Sequence, residues 1–274
     1  MRRVINRRPG RGGFLFWSAL PFAIAAAGYA VASALRLAEN PGDRLLPPLS
    51  AMADAVVRMG FTPDTRTGDY LLWADTAASL QRLGLGLGVA TALALLLGVA
   101  IGLIPYVRAG LSAFVAVLSM IPPMAVLPVL FIVFGLDELS KVVLIVVGIA
   151  PFLIRDLSLR VEEMPREQLI KAQTLGASSW QIVLQVVLPQ MLPRLIDAVR
   201  LSLGPAWLFL ISAEAIAATE GLGYRIFLVR RYMAMDVILP YVAWITLLAF
   251  LSDTLLRLLS RSLFPWQRAG KGAS

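Results

Sequence analysis

The chain has 274 residues, 58% of them hydrophobic and only 15% charged, a balance far too apolar for a soluble domain of this size. It has no cysteine and no histidine, which excludes disulfides, thiolate metal sites and a cysteine nucleophile and removes the usual ligands of a transition metal. The formal charge of +8 would suit a nucleic-acid binder, but the basic residues sit between apolar runs, as they do in membrane proteins.

Residues 1–13 form a basic tail with Arg2, Arg3, Arg7, Arg8 and Arg11. Apolar runs follow at 14–37, 78–104, 111–134, 139–157, 195–218 and 237–259, each near the roughly 20 residues that a helix needs to span a bilayer. Unpaired backbone groups are costly in hydrocarbon, and the runs lack the apolar/polar alternation of a membrane barrel. The expected fold is all-α with six transmembrane helices. The first run contains Ala32-Ser33-Ala34, a small-residue string like a signal cleavage site, but it exceeds the 7–15 apolar residues of a signal peptide and reads as an uncleaved anchor.

The loop at 38–77 carries Glu39, Asp43, Asp54, Asp64, Asp69 and Asp75 against Arg44, Arg58 and Arg66, which suits the outer side of the membrane. Within it Leu49, Met52, Ala55, Val56 and Met59 recur at helical spacing and predict a short amphipathic helix. After the last run, Arg261, Arg268 and Lys271 match the basic amino-terminal tail, so both ends are expected in the cytoplasm. The layout is then a tail at 1–13, a first span at 14–37, an external loop at 38–77, a five-span core at 78–266 and a tail at 267–274.

The second run contains Gly84, Gly86, Gly88, Gly98 and Gly102, a spacing of small residues that lets another helix approach closely. No strand precedes these glycines and no phosphate-binding lysine follows, so they do not form a nucleotide loop. The third run is broken by Ile121-Pro122-Pro123 and by Pro128, and the fifth by Gly204-Pro205, because proline removes a donor and clashes with the preceding turn. Broken helices inside a membrane are tolerated where they are buried in protein or line a wet cavity. Met120, Pro122, Pro123, Met124, Trp207 and Phe209 flank the breaks and are candidates for a pathway wall, packing or lipid contact being the alternative. Glu214 lies inside the fifth run. It is either a functional carboxylate or a group near the outer end within reach of water or Arg225. Arg82 marks the outer boundary of the second run or attracts an anion. Asp197 with Arg200, and Asp253 with Arg257, are spaced to pair on one helix face. Trp17, Trp73 and Trp266 sit near run ends as interfacial anchors.

Between 155 and 194 the chain turns polar, with Arg155, Asp156, Arg160, Glu162, Glu163, Arg166, Glu167, Lys171 and Arg194. Pro165 suits a first helical position and Gly176 a left-handed residue ending that helix. Ser178 with Gln181 forms a capping box that starts a second helix, expected to run to about Pro189. The reading is an exposed helix, a glycine corner and a helix, all cytoplasmic.

Here the sequence resembles the permease subunits of binding-protein-dependent ATP-binding-cassette importers. Their cytoplasmic signature is Glu-Ala-Ala, three residues, Gly, nine residues, Ile, one residue and Leu-Pro. This chain has Ile170-Lys171-Ala172, Gly176, Val186 and Leu188-Pro189; Ile170 and Lys171 replace the glutamate and first alanine. Ile121-Pro122-Pro123, Leu127-Pro128, Phe134-Gly135, Ser212-Ala213-Glu214 and Glu220-Gly221-Leu222-Gly223 are similar to the nitrate, sulfonate and taurine branch. The resemblance covers about 45–266 and implies a type I importer fold in the bacterial inner membrane. It implies a second permease copy, two ATPase subunits and an external solute-binding protein as partners. It places ATPase coupling at Leu169, Ile170, Lys171, Ala172, Leu175, Gly176, Ala177, Ser178 and Pro189. ATP and magnesium then belong to the partner, since this chain has no phosphate-binding Gly-Lys loop, and it needs no cofactor. The implied cargo is nitrate, a sulfonate or taurine. A small cation such as guanidinium is the alternative that Glu214 would favour. A gradient-driven transporter would need several intramembrane acids, and a membrane enzyme would need converging catalytic groups.

Overall fold

The computed structural model describes residues 10–65 and 67–266; Arg2, Arg3, Arg7, Arg8, Arg66, Arg268 and Lys271, and the arguments resting on them, lie outside the described residues. Among these residues the chain is helical throughout, with no strand. It divides into two units, one of 71–228 with 243–274 and one of 1–70 with 229–242.

In the smaller unit, α1 (Arg11–Glu39) carries exposed Phe14, Trp17, Phe22 and Val31 along its length. Pro21 within α1 and the mostly apolar surface fit a helix solvated by lipid. Its far end is fastened to the following loop: Tyr29 donates to the Pro47 carbonyl at 2.7 Å and Ser33 to that of Leu46 at 2.9 Å. The expected amphipathic segment is α2 (Leu49–Phe61).

The larger unit is built on α3 (Leu71–Leu103) and α6 (Glu138–Glu162). Gly86, Gly98 and Gly102 of α3 face Ile145, Leu157 and Val161 of α6; a Cβ on these glycines would fall 2.7, 2.9 and 2.5 Å from the Cβ atoms of those partners. Only glycine allows the backbones so close, which maximises dispersion contact where lipid offers no hydrophobic drive. Gly84 and Gly88 face open space, so three of the five glycines form the seam. The contacts advance in step along both helices, so α3 and α6 run parallel over roughly 24 Å.

That parallel register decides the connection. Between α3 and α6 lie α4 (Pro105–Leu118) and α5 (Pro123–Phe134), bent from each other by 97°. To bring α6 back to the starting end of α3, the pair must return the chain across the layer as one broken passage. Pro122 caps α5 and Pro123 opens it, while Pro128 sits inside, as the third run predicted. Gly135 at φ +77° then stops α5, a left-handed conformation suited to glycine.

After α6 come α7 (Arg166–Thr174), α8 (Ser179–Leu201), α9 (Leu203–Ala217), α10 (Leu222–Arg230) and α11 (Met235–Leu263). Three observations correct the expected boundaries. First, α8 continues through Pro189 instead of ending there, because Val183–Val187 forms a π turn and Pro189 takes the first turn of the helical stretch after it. The wider turn relieves the proline of its missing bond and its clash. Second, Pro165 caps α7 rather than opening it. Third, the fifth run breaks at Ser202, and Gly204-Pro205 lies in the first turn of α9. Five helices are long and apolar enough to cross a membrane, and up to seven spans result if each bent pair counts as one. The expected six spans fall within that range.

Candidate functional site

The end of the larger unit where α3 and α6 begin holds a buried charge network. Glu214 on α9 has 0% of its surface exposed and Arg82 on α3 has 2%. Arg82 Nη1 donates to Glu214 Oε1 at 2.7 Å and to the Glu220 carbonyl at 2.9 Å, and Nη2 donates to Glu138 Oε1 at 2.8 Å. Its Nε also donates to Glu138. Glu214 further accepts from Ser79 Oγ at 2.7 Å and from the Gly223 amide at 2.8 Å. Lys141, one turn along α6, donates to Glu138 at 2.6 Å.

A second pair lies beside the first. Asp75, also fully buried, accepts from Arg225 Nε at 2.8 Å and from the Gly221 amide at 2.9 Å. Leu222 N donates to Ser79 Oγ at 2.9 Å. Acids and bases thus fasten the bend between α9 and α10 to α3. Gly221 sits at φ +124°, and a Cβ there would fall 2.6 Å from the Glu214 carboxyl carbon. The Glu220-Gly221-Leu222-Gly223 string is therefore glycine-rich because the bend must pass directly over a buried ion pair.

This geometry corrects two expectations. Glu214 pairs with Arg82, and Arg225 goes to Asp75. Asp75 belongs to α3 and not to an external loop, because its charge is fully matched and the helix can extend over it. Asp75, Ser79, Glu138 and Lys141 were missed by reading runs one at a time. The available signal was the coincidence of an acid in the fifth run with a base in the second. Asp197 and Asp253 do pair as spaced: Arg200 donates to both at 2.9 Å, and Arg257 to Asp253 at 2.7 Å.

The other pathway candidates separate into two groups. Met120 is 72% exposed and Met124 38%; they flank the α4–α5 break with Pro122 and Pro123. Trp207 and Phe209 are buried on α9, Phe209 against the face of α6 at Gly148. The indole N–H of Trp207 is buried with no hydrogen-bond partner among the described residues.

At the opposite end of α6 the chain makes the glycine corner. Gly176 stands at φ +83°, Ala177 N donates to the Ala172 carbonyl at 3.0 Å and Gly176 N to that of Gln173 at 2.9 Å. These two bonds are the complete left-handed terminus in which the last carbonyls of a helix are satisfied. The capping box follows at once: Ser178 N donates to Gln181 Oε1 at 2.8 Å, and Gln181 N to Ser178 Oγ at 3.3 Å. No residue of α7 is buried. Ile170, Leu175 and Trp180 stand exposed around the corner, Leu175 at 87%, with Lys171 and Ser178 exposed beside them and Ala172 and Ala177 half-buried. Leu169 points the other way, lining a cavity of about 640 Å³ with Leu95, Val99, Leu103, Trp180 and Leu188. Pro189 is half-buried within α8.

Residues 76–266 match the family model described as the inner membrane component of binding-protein-dependent transport systems. The chain belongs to that family. Within it, the chain is 40% identical to the taurine transport system permease protein TauC of Escherichia coli over 72% of each chain. It is 29% identical to the putative aliphatic sulfonates transport permease protein SsuC of Bacillus subtilis over 73% of each. It is 28% identical to the nitrate import permease protein NrtB of Synechococcus elongatus over 54% of this chain and 53% of that one. This importer permease therefore falls in the nitrate, sulfonate and taurine branch. Its fold is that of a chain of the MetNI methionine ABC transporter in an inward-facing conformation, with a TM-score of 0.62 at 22% identity over 73% of this chain and 99% of that one. The family is one of transporter subunits. No group of three or more acids that could hold a metal occurs among the described residues.

Proposed function

We propose that this permease carries a small sulfonate-class solute inward, driven by an ATPase that docks on the corner at 165–178. The observation that supports this most is the corner itself. Two capped helices leave Ile170, Leu175 and Trp180 exposed on the chain, and such an exposed apolar cluster on a rigid turn fits a groove on another protein. Arginine and lysine placement favours the corner and both termini in the cytoplasm and the segment before α3 outside. A second copy of the chain completes the pathway, with the broken α4–α5 passage facing the cavity. An external binding protein delivers the solute, and ATP with magnesium stays on the ATPase.

The cargo class follows the taurine and sulfonate relatives. The guanidinium alternative loses its basis, because Glu214 is already neutralised by Arg82 and offers no free charge to a cation. Reconstitution of the permease with its ATPase and binding protein in proteoliposomes tests the proposal. ATP-dependent accumulation of taurine or ethanesulfonate is expected, and accumulation without ATP or ATPase would refute it.

A further inference from the structure

Most cations in the membrane helices are matched by acids. Arg82 has Glu138 and Glu214, Lys141 has Glu138, Arg160 has Asp156, and Arg200 and Arg257 share Asp253. Arg155 on α6 departs from this pattern: its guanidinium has no ion-pair partner among the described residues. It lines a cavity of about 300 Å³ between α4 and α6, together with Ser112, Val115, Ser158, Leu159 and Glu162.

The acid in that cavity is already engaged, since Glu162 lies 3.1 Å from Arg108 Nε. The Ser158 hydroxyl donates to the Arg155 carbonyl at 2.9 Å, which leaves its oxygen without a proton to offer. Ser112, across the cavity on α4, supplies an exposed hydroxyl. Arg155 stands seven residues, roughly 10 Å, inside the corner end of α6. Arg155 and Ser112 are both exposed on this chain, so the guanidinium and the hydroxyl are open to an incoming ligand, and a cation on a membrane helix beside a cavity marks a solute path.

We infer that this cavity is an oxyanion site at the corner end of the pathway, where Arg155 and Ser112 bind the sulfonate group of the solute before release. The planar fork of guanidinium N–H groups matches two oxygens of a sulfonate or phosphate at once, which a single ammonium does not. The inference rests on the sulfonate reading of the cargo. A lipid phosphate would present the same oxygens, and the test separates the two sources.

The complete transporter, with ATPase and binding protein, is reconstituted in phosphatidylcholine alone or in phosphatidylcholine with phosphatidylglycerol. Ethanesulfonate is the probe for uptake and for direct binding to the purified complex. Arg155→Gln should reduce both about tenfold or more in either lipid, with the protein inserted normally and ATP hydrolysis still stimulated by the binding protein. Arg155→Lys should recover part of the loss. A loss confined to vesicles with phosphatidylglycerol would support the oxyanion site and assign it to an anionic lipid headgroup, since the phosphate of phosphatidylcholine is neutralised by its own choline. Uptake and binding equal to wild type in both lipids would overturn the site while leaving the cargo reading intact. A wild-type protein that binds ethanesulfonate through Arg155 yet transports none would instead overturn the cargo reading alone.

Discussion

At Gly176 the backbone occupies φ +83°, a region that residues with a β-carbon enter at a cost of about 1–2 kcal/mol. A Cβ there would meet nothing within 4 Å, so the obstacle to replacement is conformational and not steric. Gly176→Val should therefore distort the corner while leaving the membrane helices packed. The expected result is normal insertion and expression, weakened ATPase capture in a pull-down and loss of uptake; full capture with full uptake would remove the corner as the coupling element. Arg82 presents the opposite case, a residue whose loss is felt through its partner. Arg82→Met strands Glu214 in a site with no exposure, and breaking a buried pair on one side costs about 3–5 kcal/mol. Thermal unfolding in detergent should show a large destabilisation, and Arg82→Met combined with Glu214→Leu should regain part of it, because no uncompensated Glu214 charge then remains. If the double variant were no more stable than the single one, the pair would not be the source of the loss.

Among the elements, the α3–α6 seam carries the most explicit demand on sequence. The glycine pattern in the second run announced close helix packing, but the pattern alone did not say which glycines faced the partner. An added carbon at Gly98 or Gly102 would clash with Leu157 or Val161 at 2.9 or 2.5 Å, whereas at Gly88 it would meet nothing within 4 Å. Gly102→Leu should thus force the helices apart and lower folded yield and thermal stability. Gly88→Leu should be close to wild type in the same assay of the single chain. Equal damage from both would contradict the seam. Helix α8 shows the limit of local reading. Pro189 is a strong stop signal, yet the helix passes it, because a π turn just upstream changes which carbonyl the proline ring would meet. That turn depends on backbone register set by packing.

For the whole molecule, the parallel course of α3 and α6 fixes relative sidedness. The Arg82 network lies at one end of the larger unit, and the Arg108–Glu162 pair and the corner lie at the other. Which end faces the cytoplasm is read from charge placement, and the chain's lack of cysteine makes it simple to test. A single cysteine at Ser178 should resist an impermeant thiol reagent in intact cells and react in inverted vesicles. One at Thr67 should behave in the reverse way. Labelling of Ser178→Cys from outside would invert the scheme.

The membrane class, the helical fold, the broken third passage and the corner were all legible in residue order. They follow from length of apolar runs, proline, glycine and capping chemistry, which act over one or two helical turns. The pairing of Arg82 with Glu214 and of Asp75 with Arg225 was not legible, since each joins residues more than a hundred positions apart. Any of several bases had the right charge to meet Glu214, and coulombic attraction carries no sequence address. Only the packing of α9 and its bend against α3 brought one guanidinium within 2.7 Å of that carboxylate, and only the packing of α4 against α6 set Arg155 beside a cavity.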